Sequence, residues 1–213
     1  MWHPVYQIMC YLFKTGFYEL FDGAIYGLEN IPGKGSFLLA CNHASYFDPP
    51  FLGAVLLGKR KIFSFAKKSL FSAPLWKWLF TRLNSIPVDR NNVDMSAIRS
   101  VLKLLQNGSG VMIFPEGTRS SDGQLHKAHA GVGMFACKSG TRVIPCRIFG
   151  AYKILNRFSH FPNFNEKAAI IFGKPLQPAE YDNNKTSPNR YQEAANIIME
   201  KIKSLELPQP NIL

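Results

Sequence analysis

Short apolar runs alternate along the chain with longer stretches in which apolar residues recur every three or four positions. The short runs are typical of buried strands, and the longer spacing is typical of amphipathic helices. The pattern predicts strands over residues 24–27, 37–41, 85–88, 111–114, 142–148 and 168–172, and helices over residues 49–57, 70–83, 96–106, 131–138 and 189–205. This alternation predicts an α/β fold: a single domain with a mixed, largely parallel sheet flanked by helices.

Two of the predicted helices have well-defined ends or inner faces. For the helix predicted over residues 96–106, we expect Asp94 or Ser96 to cap the start and Asn107 and Gly108 to end it. Residues 177–188, before the last helix, are polar and predict a linker. The inner face of the helix predicted over residues 96–106 carries Ile98, Val101, Leu102 and Leu105. The inner face of the helix predicted over residues 189–205 carries Ala194, Ile197, Ile198, Ile202 and Leu205.

The N-terminal segment, residues 1–22, is rich in large apolar side chains. Lys14, Glu19 and Asp22 interrupt it, so its apolar part is shorter than the ~20 residues that a spanning helix needs. It also lacks the basic start and the small-residue cleavage site of a secretory signal. We expect an amphipathic helix lying in a membrane interface, and the alternative is a core helix that covers one face of the sheet.

The 213-residue chain carries a formal net charge of +11, which indicates an anionic partner. Residues 49–88 hold no acidic side chain, and their basic residues are interleaved with tryptophan, phenylalanine, leucine and isoleucine. An anionic membrane surface attracts this mixture. Nucleic-acid-binding proteins show it too, and a solvated basic face over an ordinary core is a further alternative. The basic residues are Lys59, Arg60, Lys61, Lys67, Lys68, Lys77 and Arg82.

The four cysteines, Cys10, Cys41, Cys137 and Cys146, are scattered among apolar neighbours. None stands in a Cys-x-x-Cys pair, so the sequence suggests neither a zinc site nor a disulfide framework and favours a reducing compartment. Cys41 lies two residues before His43 and would share its face on a strand. Activation of Cys41 as a nucleophile stays open here, although a free cysteine in an apolar strand usually behaves as a small buried hydrophobe.

A histidine and an aspartate follow the strand predicted over residues 37–41. His43 and Asp48 are five positions apart, so they point in different directions on a regular helix and need a turn to meet. A carboxylate on one ring nitrogen fixes the tautomer and leaves the other nitrogen free to take a proton. The pair therefore predicts a general base with its partner. The alternative is that Asp48 only caps a helix with Pro49 and Pro50 in its first turn.

A second polar motif follows the strand predicted over residues 111–114. Its glycine allows backbone to approach a ligand closely, its hydroxyls can bond to oxygen, and its arginine offers a planar fork suited to phosphate. The motif predicts an anion site, and the alternative is a surface turn in which the acidic and basic side chains pair with each other. Its residues are Glu116, Gly117, Thr118, Arg119 and Ser120.

The two motifs together resemble the 1-acylglycerol-3-phosphate acyltransferases, within the wider glycerolipid acyltransferase superfamily. Residues 43–48 match the family's His-x4-Asp signature, and residues 114–119 match its Phe-Pro-Glu-Gly-Thr-Arg block. Two weaker blocks also match, at residues 84–90 and 143–146, and the resemblance covers roughly residues 20–175. One departure is visible, because His129 stands where relatives often have the lysine of a Lys-Pro-Gly sequence.

The resemblance implies an acyltransferase domain over residues 23–213, preceded by the interfacial segment. Such a domain moves a fatty acyl group from acyl-CoA or acyl-carrier protein to the free hydroxyl of 1-acylglycerol-3-phosphate and gives phosphatidic acid. It implies His43 and Asp48 as catalytic residues, and no metal or further cofactor. By the same resemblance, the acceptor-binding residues are Glu116, Gly117, Thr118, Arg119 and Arg90.

The implied partners are lysophosphatidic acid, the acyl donor and an anionic membrane surface, without nucleic acid. We expect a membrane-associated protein at the cytoplasmic face, held through residues 1–22. Two alternative functions accompany this expectation. One is an acyltransferase that acts on another lysolipid, and the other is a catalytically inactive peripheral membrane-binding protein of the same fold.

Overall fold

The computed structural model describes residues 3–89 and 95–208. This part of the chain contains the strands β1 Ala24–Tyr26, β2 Phe37–Cys41, β3 Ile62–Lys67, β4 Ser85–Val88, β5 Gly110–Ile113, β6 Arg142–Phe149 and β7 Ala169–Phe172. They form one sheet in the order β1-β7-β6-β2-β5-β3-β4. Neighbouring strands are parallel except β6 and β7. The predicted α/β domain with a mixed, largely parallel sheet is confirmed.

The helices are α1 Pro4–Glu19, α2 Asp48–Val55, α3 Pro74–Arg82, α4 Met95–Gln106, α5 Ala130–Ser139, α6 Ala151–Ile154, α7 Pro178–Tyr181 and α8 Arg190–Lys203. Short 3₁₀ helices cover Leu28–Asn30 and Lys68–Phe71. Proline stands in the first turn of α1, α2, α3 and α7, where its fixed φ suits the helix and an N–H would lack a partner anyway. Gly140 ends α5 in the left-handed conformation that stops a helix.

The helices cover both faces of the sheet, so the central strands are buried on each side. In β2, Phe37 and Leu39 belong to the core formed with α1 and α2. Leu38 and Ala40 face the opposite way, into the core formed with α4, α5 and α8. This explains why β2 is a continuous apolar run and does not alternate with polar residues. The strands β2 to β6 all end at one edge of the sheet, which we call the carboxyl edge.

Three expectations from the sequence need correction. Residues 62–67 form strand β3, which the pattern did not predict because lysines flank a run in which serine and alanine also occur. The helix predicted over residues 70–83 is divided into a 3₁₀ turn and α3. The predicted polar linker contains α7, whose Tyr181 is buried and donates to the Thr141 carbonyl at 2.6 Å. The predicted cap Asp94 lies outside the described residues.

Helix α1 has two different faces. Tyr6, Cys10 and Phe17 are buried. Tyr6 and Cys10 pack against Ala54 of α2. The outer face exposes further large apolar side chains, namely Ile8, Tyr11 and Leu12. The core-helix alternative therefore describes the inner face and the interfacial prediction concerns the outer one. The predicted domain boundary between residues 22 and 23 stays a prediction.

Within residues 3–89 and 95–208, none of the helices combines the length and the apolar character that crossing a membrane requires.

Part of the basic stretch at residues 49–88 serves the fold itself. Lys59 donates to the Leu28 carbonyl at 2.7 Å, at the edge of the sheet opposite the carboxyl edge. Arg60 donates there to three carbonyls, those of Pro32, Gly35 and Gly108. Phe63 and Phe65 of β3 pack against the core. Because these residues serve the fold, the predicted membrane surface is restricted to the later residues of the stretch, around α3. There Leu75, Trp76 and Trp78 are exposed.

Candidate active site

The candidate site begins where β2 ends, at the carboxyl edge. Asn42 bonds to strand β6 in both directions: its Nδ2 donates to the Ile148 carbonyl at 3.1 Å, and the Ile148 N–H donates to its Oδ1 at 2.8 Å. This buried amide satisfies two backbone groups and fixes the direction in which the chain leaves the sheet. Sequence reasoning gave Asn42 no role, because one asparagine before a histidine carries no signal of its own.

His43 and Asp48 meet across the turn between β2 and α2. The Nδ1 atom of His43 lies 2.8 Å from Oδ2 of Asp48. The same oxygen accepts hydrogen bonds from the backbone N–H groups of Ala44 and Ser45, both at 2.7 Å. Asp48 is only 1% exposed, and α2 receives no side-chain cap. Asp48 therefore holds the loop that carries His43. The alternative, in which Asp48 only caps α2, does not describe the structure.

The imidazole is also fixed from its face. The Phe114 ring stacks on the His43 ring, with the centroids 4.0 Å apart and the planes 17° from parallel. The His43 carbonyl accepts a hydrogen bond from the Ser120 N–H at 2.8 Å. Because β2 and β5 are neighbours, their following loops lie side by side and these contacts join the two motifs. The ring keeps one nitrogen, Nε2, that Asp48 does not engage.

Glu116 joins the second motif to the first. Its Oε1 accepts the backbone N–H of His43 at 2.9 Å, and its Oε2 accepts that of His126 at 3.1 Å. The side chain is 3% exposed, and this burial raises the pKa of Glu116 while the two N–H groups oppose the rise. No ion pair joins Glu116 to Arg119 in the described part of the chain. The surface-turn alternative therefore does not describe this motif.

The tip of the second motif is open to solvent. Gly117 and Thr118 are exposed, and Gly117 adopts a left-handed φ of 69° that favours glycine. The Arg119 guanidinium stacks on the Tyr46 ring, 3.4 Å from Cζ to the ring centroid. Its Nη1 is buried and has no hydrogen-bond partner among the described residues. An oriented cation with an unused donor is what an anionic ligand needs.

His129 lies at the same turn. A Cβ built on Gly117 would come within 3.1 Å of the His129 ring, so the two residues are direct neighbours. The His129 N–H donates to the Pro115 carbonyl at 2.9 Å, and the residue begins α5 without a side-chain cap bond. The position at which relatives often have lysine therefore adjoins the predicted anion ligands and carries an imidazole here. Sequence comparison with the family motif was the one signal that marked it.

Cys41 does not share the open site with His43. It is fully buried in the core below the motif, next to Cys146 on the neighbouring strand. Burial raises the pKa of the Cys41 thiol well above its ordinary value. Since a thiolate is the attacking form of cysteine, this environment opposes the nucleophile alternative. Arg90, the remaining predicted ligand, lies outside the described residues.

Within residues 3–89 and 95–208, the structure places no group of three histidine, cysteine, aspartate or glutamate side chains where they could hold a metal ion. At the carboxyl edge the fold brings the His43–Asp48 pair and the arginine turn together. They can accept a proton at one point and bind an anion beside it.

Comparisons with known proteins agree in fold and family. A family profile described as Acyltransferase matches residues 23–149. A protein of Bacillus subtilis named 1-acyl-sn-glycerol-3-phosphate acyltransferase is 31% identical over 185 residues, which cover 85% of this chain and 87% of that protein. The crystal structure of the 1-acyl-sn-glycerophosphate acyltransferase PlsC from Thermotoga maritima has a TM-score of 0.72 and 26% identity, covering 95% of this chain and 81% of that one.

Plant relatives are longer. A chloroplastic 1-acyl-sn-glycerol-3-phosphate acyltransferase of Arabidopsis thaliana is 30% identical over 169 residues, which cover 78% of this chain and 46% of that protein. A chloroplastic relative from Brassica napus is 28% identical, with 48% of its length covered. The chain therefore spans about half the length of these two relatives.

Proposed function

We propose, since this chain belongs to the Acyltransferase family, that it transfers a fatty acyl group to the free hydroxyl of 1-acylglycerol-3-phosphate and forms phosphatidic acid. The observation that carries the proposal is the 2.8 Å contact between His43 and Asp48 beside a turn with an oriented arginine. A base and an anion site lie together, as this reaction requires. The names of the bacterial and plant relatives support the same acceptor.

We propose that His43 is the general base. Its Nε2 takes the hydroxyl proton while the hydroxyl oxygen attacks the carbonyl carbon of a thioester, and Asp48 stabilises the imidazolium that forms. The tetrahedral intermediate then collapses, the C–S bond breaks, and the thiolate leaves with the proton that the imidazolium returns. Acyl-CoA and acyl-carrier protein both supply such a thioester. Because a thiolate leaves readily, this scheme assigns no step to a metal or cofactor.

We propose that Gly117, Thr118 and Arg119 bind the phosphate of the acceptor. The support is an exposed turn, a glycine without a side chain in the way, and a guanidinium whose Nη1 has no partner in the described ranges. Glu116 acts as a positioning residue, because both its oxygens already bond to the chain and leave little for a ligand. Arg90 stays in the proposal on the strength of the family block alone.

An acyl-transfer assay tests the function directly. Purified protein is offered acyl-CoA or acyl-carrier protein with each of three acceptors: 1-acylglycerol-3-phosphate, a lysolipid with a phosphodiester headgroup, and monoacylglycerol. We expect kcat/KM for 1-acylglycerol-3-phosphate to be at least about tenfold higher than for the other two acceptors. Those two cannot form all the charge-assisted hydrogen bonds that a phosphomonoester accepts. The His43→Ala protein is the matched control for background hydrolysis. A preference for another lysolipid, or no transfer with any donor, would contradict the proposal.

We further propose that the protein works as a peripheral membrane protein at the cytoplasmic face, bound to an anionic surface. The product has two acyl chains and does not leave for water, so the enzyme must meet the bilayer. The outer face of α1 supplies Ile8, Tyr11 and Leu12, and α3 supplies exposed tryptophans with basic neighbours. Each basic side chain near an anionic surface contributes about 1 kcal/mol, which salt screens, whereas the apolar contribution persists.

The structure shows how to test α1 without harming the core. Deleting the helix would remove Phe17, which is buried in the core. Replacing Ile8, Tyr11 and Leu12 together by serine changes only the outer face. We expect binding to phosphatidylglycerol vesicles to weaken in high salt and, in this variant, to lose most of the salt-resistant part. The control is Tyr26→Ser, which changes an exposed side chain of the outermost strand β1. Unchanged binding of the triple variant would exclude α1 as a membrane contact.

A further inference from the structure

A second apolar surface lies far from α1 in the sequence. Residues 155–165, between α6 and β7, form a loop that we call the phenylalanine loop. Phe158, Phe161 and Phe164 are 66%, 85% and 57% exposed, respectively. Isolated exposed apolar residues are ordinary, but three phenylalanines within one short loop form an apolar patch, and such patches mark interaction sites. The proposed chemistry assigns no function to Phe158 or Phe161.

The phenylalanine loop lies at the carboxyl edge, directly beside the candidate site. It follows β6 and α6 and leads into β7, which begins opposite Phe149 at the end of β6. The Ser45 hydroxyl, in the turn that holds His43, donates to the Leu155 carbonyl at 2.7 Å. Phe164 stacks on Phe21 after α1, with ring centroids 5.6 Å apart. One edge of the molecule therefore carries the end of α1, the histidine turn and this loop.

The loop is built as a defined structure. The Asn163 N–H donates to the Ile154 carbonyl at 2.8 Å and closes the base of the loop. Two asparagine side chains accept hydrogen bonds further along: Asn156 from the Phe158 N–H at 2.9 Å, and Asn163 from the Asn165 N–H at 3.1 Å. These local bonds fix the course of the loop, whose Phe158 and Phe161 side chains are the most exposed of the three phenylalanines.

Two cations adjoin the loop, Lys153 at the end of α6 and Arg157 within the loop itself. Between Asp122 and Glu166 the chain has no acidic residue. Arg157 stacks on Phe158, 5.4 Å from Cζ to the ring centroid, so a cation stands beside an apolar tip. Exposed phenylalanines flanked by cations suit an anionic bilayer, whose headgroups attract the charge and whose hydrocarbon accepts the rings.

We propose that the phenylalanine loop inserts Phe158 and Phe161 into an anionic bilayer, as a membrane contact separate from α1. The inference rests on the proposed function in one respect, namely that the substrate lies in a membrane. An acceptor with its acyl chain in the bilayer presents its phosphate and hydroxyl at headgroup depth. Insertion of this loop brings the carboxyl edge, with His43 and Arg119, down to that depth. It thereby orients the site toward the lipid.

A fluorescent label reports insertion without removing any phenylalanine. His160 is exposed between Phe158 and Phe161, and all four native cysteines are buried. The His160→Cys protein is labelled with an environment-sensitive dye and mixed with vesicles of phosphatidylcholine containing phosphatidylglycerol. We expect a blue shift and a rise in emission. The control is Asn107→Cys, exposed after α4 at the opposite edge of the sheet, whose label stays in water. A protein that sediments with vesicles while the His160→Cys label keeps its aqueous emission would overturn the proposal.

Two other occupants of the loop are separate outcomes of the same experiment. A blue shift that grows with protein concentration in the absence of vesicles would assign the patch to a second copy of the chain. A shift produced by acyl-CoA alone would assign it to the donor. Either result overturns insertion into the bilayer. Both are measured with the same labelled protein before vesicles are added.

Activity on two forms of the acceptor separates this inference from the proposed function. In the double variant Phe158→Ser/Phe161→Ser, we expect affinity for anionic vesicles, and kcat/KM with vesicle-borne acceptor, to fall by at least about tenfold. Activity on a short-chain, water-soluble acceptor stays unchanged, and Phe158→Leu/Phe161→Leu restores most of the vesicle activity. Equal losses on both acceptors would show a structural role and overturn the inference. A wild-type protein inactive on both would instead refute the acyltransferase function, whatever the label reports.

Discussion

The two halves of the candidate site differ in how completely the fold occupies them. The histidine half is buried, and its carboxylate oxygen Asp48 Oδ2 accepts three hydrogen bonds from the loop around it. The arginine half is exposed at Gly117 and Thr118, and Nη1 of Arg119 has no hydrogen-bond partner in the part of the chain that the structure describes. A catalytic base must hold one orientation, whereas a binding turn must leave donors for the ligand. The comparison supports the proposal that the histidine half carries the chemistry and the arginine half binds the acceptor.

Glu116 belongs to both halves. It lies in the arginine motif by sequence, yet its carboxylate accepts the N–H of His43. The difference between the halves therefore predicts three kinds of response to mutation: loss of turnover at His43, loss of acceptor affinity at Arg119, and loss of stability with misalignment at Glu116. Variants at these positions can sharpen or break the distinction.

The largest effect is expected from His43→Ala. Loss of a general base typically lowers the rate by about 10² to 10⁴, and we expect kcat to fall by that factor with little change in the acceptor KM. The thermal midpoint serves as the control for folding, and the wild-type protein is assayed beside it. Turnover close to wild type in a folded His43→Ala protein would contradict the assignment of the base.

Arg119→Lys tests the other half. A lysine keeps the charge but lacks the planar fork, and it loses the flat stacking on Tyr46. We expect the acceptor KM to rise by about 10- to 100-fold, as loss of a charge-assisted hydrogen bond implies, while the donor KM stays the same. Steady-state kinetics with each substrate varied in turn give both values. A change confined to the donor KM would move this turn to the donor side of the site.

Glu116→Gln is expected to act on both halves through the fold. A glutamine accepts through one oxygen only, so either the buried N–H of His43 or the part-buried N–H of His126 loses its partner, and the loss costs about 1–3 kcal/mol where the N–H is shielded from water. We expect an unfolding free energy lower by that amount and a moderate fall in kcat. Denaturant titration measures the first quantity, and Glu19→Gln, exposed at the end of α1, controls for the lost charge. An unaltered unfolding midpoint would exclude Glu116 as the link.

The same carboxyl group gives a pH signature. Burial raises the pKa of Glu116, so between its ordinary and its raised value the folded protein binds the proton that the unfolded chain releases. The wild type should therefore gain stability relative to Glu116→Gln as the pH falls through the raised pKa, and the gain should level off below the ordinary value of 4.5. If the wild type instead gained stability over Glu116→Gln as the pH rises, the raised pKa of Glu116 would be contradicted.

The sequence predicted the fold better than it predicted the surroundings of the site. Apolar periodicity located β2, β6 and α5 to within two residues, because buried elements carry an uninterrupted pattern. Strand β3 was missed because its polar and basic residues obscured a strand whose phenylalanines serve the core. The spacing of His43 and Asp48 left a helix cap open as an alternative, and the family resemblance of the two motifs together led to their catalytic assignment, which stays a prediction.

The sequence did not reveal the contacts that join distant segments. Asn42 bonds to β6 and Phe114 covers the imidazole, but both relations depend on strand order, which no local pattern contains. The family resemblance implied Glu116 as an acceptor ligand, whereas its burial and its bonds to the chain appear only in the assembled structure. Local chemistry is thus readable from the sequence, while the partner of each group follows from topology.

The smallest effect is expected at Tyr46, which connects the two halves from the open side. Its ring lies in the histidine turn and stacks on the Arg119 guanidinium, so it holds a flexible cation in place at a partly exposed site. Such a contact contributes about 0.5–1 kcal/mol. Tyr46→Ala should therefore raise the acceptor KM about two- to fivefold without lowering kcat, and Tyr46→Phe should restore the wild-type value because the aromatic face remains. The same rise in both variants would assign the effect to the hydroxyl, and a fall in kcat would place Tyr46 with the preorganised base.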